Sequence, residues 1–433
     1  MRRFIILLLL ATSFSVSAID LQEAVETALA NRGDVESARL NAESAGWQST
    51  NADLWFLPNV SGQLAFQKNY DIQSMEIPGM GSIPMGTEYT SFAGISVSVP
   101  LFLPQGLSGS RMASRAEDLA LHQADAAEYN AVVQVVQAFY GVLLSQKMEV
   151  VSSEALDIAR QGYELALLKY DAGTISRFEL LQSRVAWENR IPEAIDSRIA
   201  LENALSGLAV SMGLEQGSVF TLEGSLEDRP DIHLPASLED AQKMMEIRNP
   251  DLLAAADIRL VGDAGVDMAR AEFLPMLVFQ TDFNYQAARD DWHFETGDYD
   301  RNWTSSIALQ VPILTGFSDI AGYNSARAER LASHASARSM EQGVGLSLVQ
   351  AWNSFEASRE REKATSSTVE QAEEASSIAC VSYEAGTITR LDMDQAFLAL
   401  TAARTNHASA LYGLRISEVQ LMRAIGLLEG YTR

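Results

Sequence analysis

The stretch YDAGTISRFELL, residues 170–181, returns at 383–394 as YEAGTITRLDMD. A turn built twice, 213 residues apart in a chain of 433, implies that the chain is a tandem duplication. Smaller matches keep the same order. Leu21-Gln-Glu-Ala24 answers Leu238-Glu-Asp-Ala241, Asn31 answers Asn249, and Phe56-Leu57-Pro58 answers Phe273-Leu274-Pro275. Val99-Pro100 answers Val311-Pro312, and Gln137-Ala138-Phe139 answers Gln350-Ala351-Trp352. These predict a first repeat over 19–225 and a second over 226–433, stitched by the proline-containing linker LEDRPDIHLPASL at 226–238.

Each repeat reads helix, two strands, long helices. Between its proline marks the sequence switches to period two, the signature of a strand with two unlike faces. Val60, Gly62, Leu64, Phe66 and Tyr70 alternate with Ser61, Gln63, Ala65, Gln67 and Asn69. Tyr89, Ala93, Ile95, Val97, Val99 and Leu101 alternate with polar Thr90, Ser96 and Ser98. In the second repeat Leu277, Phe279, Phe283 and Tyr285 oppose Gln280, Asp282 and Asn284, and Trp303, Ile307, Leu309, Val311 and Ile313 oppose Thr304, Ser306 and Gln310. The expected strands are 58–72, 89–101, 275–286 and 302–313, with polar or Gly/Pro-rich loops over 71–88 and 286–302. Tyr89, Trp292, Phe294, Tyr299 and Trp303 in or beside those loops suit a membrane interfacial girdle, although hairpin packing also accounts for them.

Beyond the strands, 105–191 and 313–433 are free of proline, and the residues from Gln105 to Tyr170 predict a helix about 100 Å long. Val133, Val136, Tyr140 and Leu143 recur at helical spacing amid Ala, Ser, Gln and Glu, which favours narrow coiled-coil-like seams over a thick core.

Composition removes several functional classes. Lys plus Arg 32 against Asp plus Glu 57 gives a net charge of −25, which a nucleic acid would repel. MRRFIILLLLATSFSVSA carries two arginines, a short apolar run and small terminal residues, so 1–18 reads as a secretory signal cleaved after Ala18. Cys380, the only cysteine, cannot form an intrachain disulfide. His122, His233, His293, His334 and His407 lie far apart without metal-ligand spacing. No HExxH, GxSxG or Walker loop occurs, so nothing assembles an enzyme's nucleophile, base and orienter, and no cofactor or metal is implied.

A secreted chain without a second long apolar run can enter a membrane only as a closed barrel, because lipid offers no partner to the backbone of an open sheet edge. Four strands cannot close alone. Single-chain barrels start at about eight strands, so this chain calls for oligomerisation, and three copies supply about twelve. The competing reading is a periplasmic coiled-coil structural or adaptor-like protein without a barrel.

The duplicated helix, strand, strand, helix order and the paired Tyr-x-Ala-Gly-Thr turns resemble the outer membrane efflux protein (TolC-like) family across essentially the whole mature chain. The resemblance implies a mainly α fold with a membrane β-barrel. It implies a homotrimer with a twelve-stranded barrel in the lipid of a Gram-negative-type outer membrane and a long periplasmic α-helical barrel. It further implies a passive exit duct of a tripartite efflux or secretion system, closed at a tip that opens on docking to a periplasmic adaptor (membrane fusion protein) and an inner-membrane pump of RND, ABC or MFS type.

The turns can also be read locally. Gly173 and Gly386 can close a helix in left-handed geometry, and Ser176-x-x-Glu179 and Thr389-x-x-Asp392 resemble capping boxes for the next helix, Asp being the weaker match. Each copy is therefore an αα-hairpin tip, over 170–179 and 383–392. A plain turn accounts for the glycines and caps but does not require Ile175 and Ile388 beside Arg177 and Arg390. By resemblance, the tips dock adaptor hairpins through Tyr170, Gly173, Thr174, Ile175 and Arg177, and through Tyr383, Gly386, Thr387, Ile388 and Arg390. The family's acidic gate maps to Asp392, with Glu179 as its first-repeat counterpart. Gln395 stands where a second aspartate is expected, with Asp394 beside it. Tyr383 matches the family's latch tyrosine, while Ile388 replaces the latch arginine and leaves Arg390 as the substitute.

Overall fold

The computed structural model describes residues 18–77, 79, 81–215, 217–218, 220–228 and 234–428. The expected signal, His233 and the centre of the linker fall outside the described residues. The chain divides into two compact units. One comprises Met1–Asn41, Leu121–Leu253 and Ser339–Arg433, the other Ala42–Ala120 and Ala254–Arg338.

The helices and the long strands follow in the same order in each half. The first runs β1 (Ala18–Ile19), α1 (Leu21–Asn31), α2 (Gly33–Asp53), β2 (Asn59–Lys68), β3 (Ser74–Ile77), β4 (Gly81–Pro84), β5 (Tyr89–Phe102), α3 (Pro104–Asp171), α4 (Arg177–Ser211) and β6 (Thr221–Leu222). The second runs α5 (Leu238–Arg248), α6 (Pro250–Ala271), β7 (Met276–Arg289), β8 (Asp300–Gln310), α7 (Ser318–Glu384) and α8 (Arg390–Ile425). The first half adds β1, β3, β4 and β6. No helix among the described residues is long and apolar enough to cross a membrane.

The four-stranded sheet is antiparallel throughout, in the order β2-β5-β7-β8. Its register joins the four alternating patterns, because residues directly opposite one another share a face. One rung is Leu64↔Ala93↔Tyr285↔Arg301, and the next of that face is Gly62↔Ile95↔Phe283↔Trp303. Two residues further on come Val60↔Val97↔Thr281↔Ser305 and then Val99↔Phe279↔Ile307. The opposite face carries Gln63↔Gly94↔Asn284↔Asn302, Ser61↔Ser96↔Asp282↔Thr304 and Asn59↔Ser98↔Gln280↔Ser306. A mostly apolar surface and a polar surface therefore extend over all four strands. β2 and β8 each pair on one side only.

Four strand ends differ from expectation by more than one residue, and one of them is the start of β8, at Asp300 rather than 302. β2 stops at Lys68, not 72, and β8 at Gln310, not 313, since each is an edge strand held from one side. β7 runs on to Arg289 because β5 pairs with it as far as Tyr89↔Arg289. The stretch expected as a plain loop over 71–88 holds the hairpin β3–β4, whose Pro84 needs no ladder amide at an edge. β1 pairs in parallel with β6, tying the two ends of the first half together.

In the other unit, Val132, Val135, Val136, Phe139, Val142 and Leu143 of α3 are buried against Val25 and Ala28 of α1, Leu208 of α4 and Met422 of α8. Of the expected stripe, Val136, Tyr140 and Leu143 are buried and Val133 packs half-buried against them, in a core thicker than a coiled-coil seam because helices from both halves converge on it. Burial pushes the Tyr140 phenol up to about 12. Arg415 and Glu418, 6% and 8% exposed, pair there at 2.8 Å. The same guanidinium donates to Leu226 O at 3.1 Å and Glu227 O at 3.0 Å, fixing the start of the inter-repeat segment.

Two joints match across the halves. α1 gives way to α2 at Arg32, which donates to Ser211 O at 3.2 Å, and α5 gives way to α6 at Asn249, whose amide donates to Ala424 O at 2.8 Å. Asn249 therefore answers Arg32 rather than Asn31. Counting from Leu21 and Leu238 sets the correspondence, and the recurrence of asparagine one place away is a coincidence of letters. Gly213 and Gly426, at φ 74° and 75°, close α4 and α8 against these joints. An added Cβ would lie 2.8 Å from Asn31 O in the first and 2.5 Å from Arg248 O in the second.

Candidate functional site: the paired hairpin turns

Both recurrent peptides are helix–turn–helix tips with one backbone design. Gly173 and Gly386 sit at φ 71° and 72°. Their amides donate to Tyr170 O at 2.9 Å and Tyr383 O at 3.1 Å, while Thr174 N and Thr387 N reach back to Lys169 O and Ser382 O, both at 2.9 Å. This is the paired 6→1 and 5→2 closure of a Schellman motif, which satisfies carbonyls that a helix end would otherwise orphan. The threonine hydroxyls donate to those same carbonyls at 2.8 and 2.9 Å, which explains why Thr follows Gly in both copies.

The following helix starts differently in the two. Ser176 accepts from Glu179 N at 3.2 Å, and Glu179 contributes only that amide to the cap. Thr389 accepts from Asp392 N at 3.3 Å, and the Asp392 carboxylate accepts in return from Thr389 N at 3.0 Å and from its hydroxyl at 2.7 Å. The complete capping box is thus the one with Asp, contrary to expectation, because the shorter side chain folds back onto the cap residue. The Thr389 hydroxyl and amide hold the Asp392 carboxyl below its usual range. Ile175 and Ile388 occupy the position before each cap, with Leu180 and buried Met393 five residues on. Those are hydrophobic-staple positions, so a helix start does ask for the isoleucines that the sequence reading left to docking.

The second tip is tied to the first hairpin. Arg390 donates to Asp394 at 2.8 Å and to Gly162 O of α3 at 3.3 Å. Lys169 Nζ of α3 lies 4.2 Å from the centre of the half-buried Tyr383 ring, and Arg390 Cζ lies 5.8 Å from it. The equivalent Tyr170 and Arg177 of the first tip are exposed. A shallow groove between α3, α4 and α8 is lined by Ile158, Arg190, Arg390, Asp394 and Phe397. Among the described residues no His, Cys, Asp and Glu side chains gather to hold a metal ion.

The model of the family described as "Outer membrane efflux protein" matches residues 24–214 and again 243–427. The chain belongs to the outer membrane efflux protein family. Protein CyaE of Bordetella pertussis is 26% identical over 333 residues, covering 74% of this chain and 68% of that one. Outer membrane protein TolC of Vibrio cholerae is 23% identical over 340 residues, covering 78% and 76%. The Campylobacter jejuni CmeC outer membrane channel superposes with a TM-score of 0.80 at 17% identity, over 94% of this chain and 85% of that one. The family is one of outer-membrane channel proteins rather than enzymes, and this member is an outer-membrane protein.

Within this family member, the sequence reading missed Gly162 and Lys169. An added Cβ on Gly162 would stand on the Arg390 guanidinium, so the glycine makes room for that side chain against α3. Glycine is costly inside a long helix, and that cost was the available signal. Of the acidic residues assigned to a gate, Glu179 and Asp392 are exposed helix-start residues and Asp394 is the Arg390 partner.

Proposed function

We propose that three copies close one twelve-stranded barrel, β2 of each against β8 of the next. On this reading the protein is the passive exit duct of a tripartite efflux or secretion system, and an inner-membrane pump of RND, ABC or MFS type supplies the energy. The observation that carries the reading is the sheet, with a mostly apolar face, a polar face and two unsatisfied edges. Such edges cannot stand in lipid, and closure with further copies satisfies them while leaving the polar face to line water. A periplasmic coiled-coil or adaptor-like protein has no use for this sheet. The two halves, 19–225 and 226–433, act as duplicated repeats that give a trimer six tips in near-sixfold order.

The tips are where the adaptor docks, through the exposed Tyr170, Gly173, Thr174 and Arg177 of the first and the Gly386, Thr387 and Arg390 region of the second, with the groove between α3, α4 and α8 beside them. The closed state is latched by Arg390 and Lys169 around Tyr383, which replaces the arginine missing at Ile388. Exposed Asp392, with Glu179 and Asp394, supplies the negative charge of the gate. The test is to purify the protein from outer-membrane fractions and look for trimers that dissociate only on heating and conduct in planar bilayers. Gly386→Trp is expected to retain those trimers and lose efflux. Absence of trimers and channels overturns the duct, and undiminished efflux by the Trp variant overturns docking at the tip.

A further inference from the structure

After β8 ends at Gln310, the chain takes seven residues to reach α7, and this passage is strongly apolar and uncovered. Ile313 is 92% exposed, Leu314 75% and Phe317 68%. Phe317 also sits at φ 65°, the one non-glycine left-handed residue among those described. A bulky side chain bears strain there, so a backbone that holds Phe317 outward points to a contact made outside the chain. The matching passage of the first half behaves differently, since β5 continues to Phe102 and α3 starts at Pro104.

Across the sheet, on the other edge strand, stands a second uncovered apolar group. Leu54, Phe56 and Leu57 precede β2 and are all exposed, whereas Trp55 between them is packed over Gly106. The rung Asn59↔Ser98↔Gln280↔Ser306 places the start of β2 and the end of β8 at the same end of the sheet. Two apolar groups thus flank the two open edges towards one end of the sheet, with β5 and β7 between them.

We infer that Ile313, Leu314 and Phe317 of one copy cover Leu54, Phe56 and Leu57 of a second copy of this chain, forming a clasp beside the β2–β8 seam. The inference rests on the closed-barrel reading and adds a contact to it. Lipid is the competing cover. It suits the strands but not this passage, because residues 311–317 lie outside strand and helix, and backbone without regular hydrogen bonding does not stand exposed in hydrocarbon. Beyond the hydrocarbon, an apolar group so bare needs protein over it.

The sole cysteine makes the test clean. In a Cys380→Ser chain, the pair Leu57→Cys with Leu314→Cys is expected to give an oxidant-dependent ladder of dimer and closed trimer from membranes, and either single variant none. Trimers that form without a ladder overturn the clasp and leave the duct intact, while loss of all oligomers overturns both. Phe317→Gly separates the contact from the backbone. It relieves the left-handed strain, so an uninvolved residue yields an equal or higher trimer-dissociation temperature, and the clasp predicts a lower one. A fluorophore at position 314 quenched by brominated phospholipid as strongly as one at position 64 assigns the cover to lipid and overturns the inference.

Discussion

Gly386 and Gly426 put the same residue in the same backbone and differ only in what surrounds it. Both follow long helices in left-handed geometry, at φ 72° and 75°. A side chain at either meets an intrinsic penalty of about 1–2 kcal/mol. A Cβ on Gly386 meets nothing within 4 Å, whereas on Gly426 it falls 2.5 Å from Arg248 O and 2.6 Å from the carbonyl carbon. Both neighbours are backbone and cannot swing aside, so α8 and the α5–α6 joint must part, an overpacking cost of about 1–3 kcal/mol. Parting also strips the buried Asn249 amide of its 2.8 Å bond to Ala424 O. An unsatisfied buried donor adds about 1–3 kcal/mol.

Gly386→Ala should therefore cost about 1–2 kcal/mol, confined to the tip, and Gly426→Ala about 3–8 kcal/mol, felt by the core that packs on α8. The assay is thermal loss of helical circular dichroism for the two purified variants in the same detergent. Gly426→Ala should melt clearly below the parent and Gly386→Ala close to it. Gly213→Ala should side with Gly426→Ala, because its Cβ would lie 2.8 Å from Asn31 backbone. Coincident melting of Gly386→Ala and Gly426→Ala would refute the reasoning, since it leaves the left-handed backbone as the whole cost and removes the close approach from the account.

Two further outcomes follow from the same geometry. Arg415→Leu takes the guanidinium from buried Glu418 and the donors from Leu226 O and Glu227 O, a loss of about 3–5 kcal/mol that Glu418→Leu in the same chain should recover only in part, read from the same melting curves. At the second tip the Asp392 carboxyl lies below its unfolded value, so its contribution is complete above about pH 4 and is lost as pH falls through the lower folded value. Amide hydrogen exchange at Thr389–Asp392 should speed up across that window beyond its intrinsic pH dependence, and Asp392→Ala should abolish the excess.

The sheet was legible because alternation is a property of each strand by itself, and antiparallel register needed only to bring like faces together. What the letters hid was relational. Pro78 and Pro84 marked a loop, and the short hairpin inside it stands because an edge strand tolerates a proline. The slip between Asn31 and Arg32 came from matching letters where the helix starts set the offset. The tips make the point most fully. Tyr170 and Tyr383, like Arg177 and Arg390, are the same residues at the same steps of one backbone turn, and duplication preserves that turn because Gly, Thr and the cap hydroxyl act locally. Their side chains have different work. Only Tyr383 and Arg390 meet Lys169 and Gly162, which α3 presents to α8, while Tyr170 and Arg177 stay exposed. A repeat therefore transmits backbone conformation faithfully, whereas a side chain's role depends on which helix lies opposite. That is why, of two turns with one backbone, only the second is bonded across to the first hairpin.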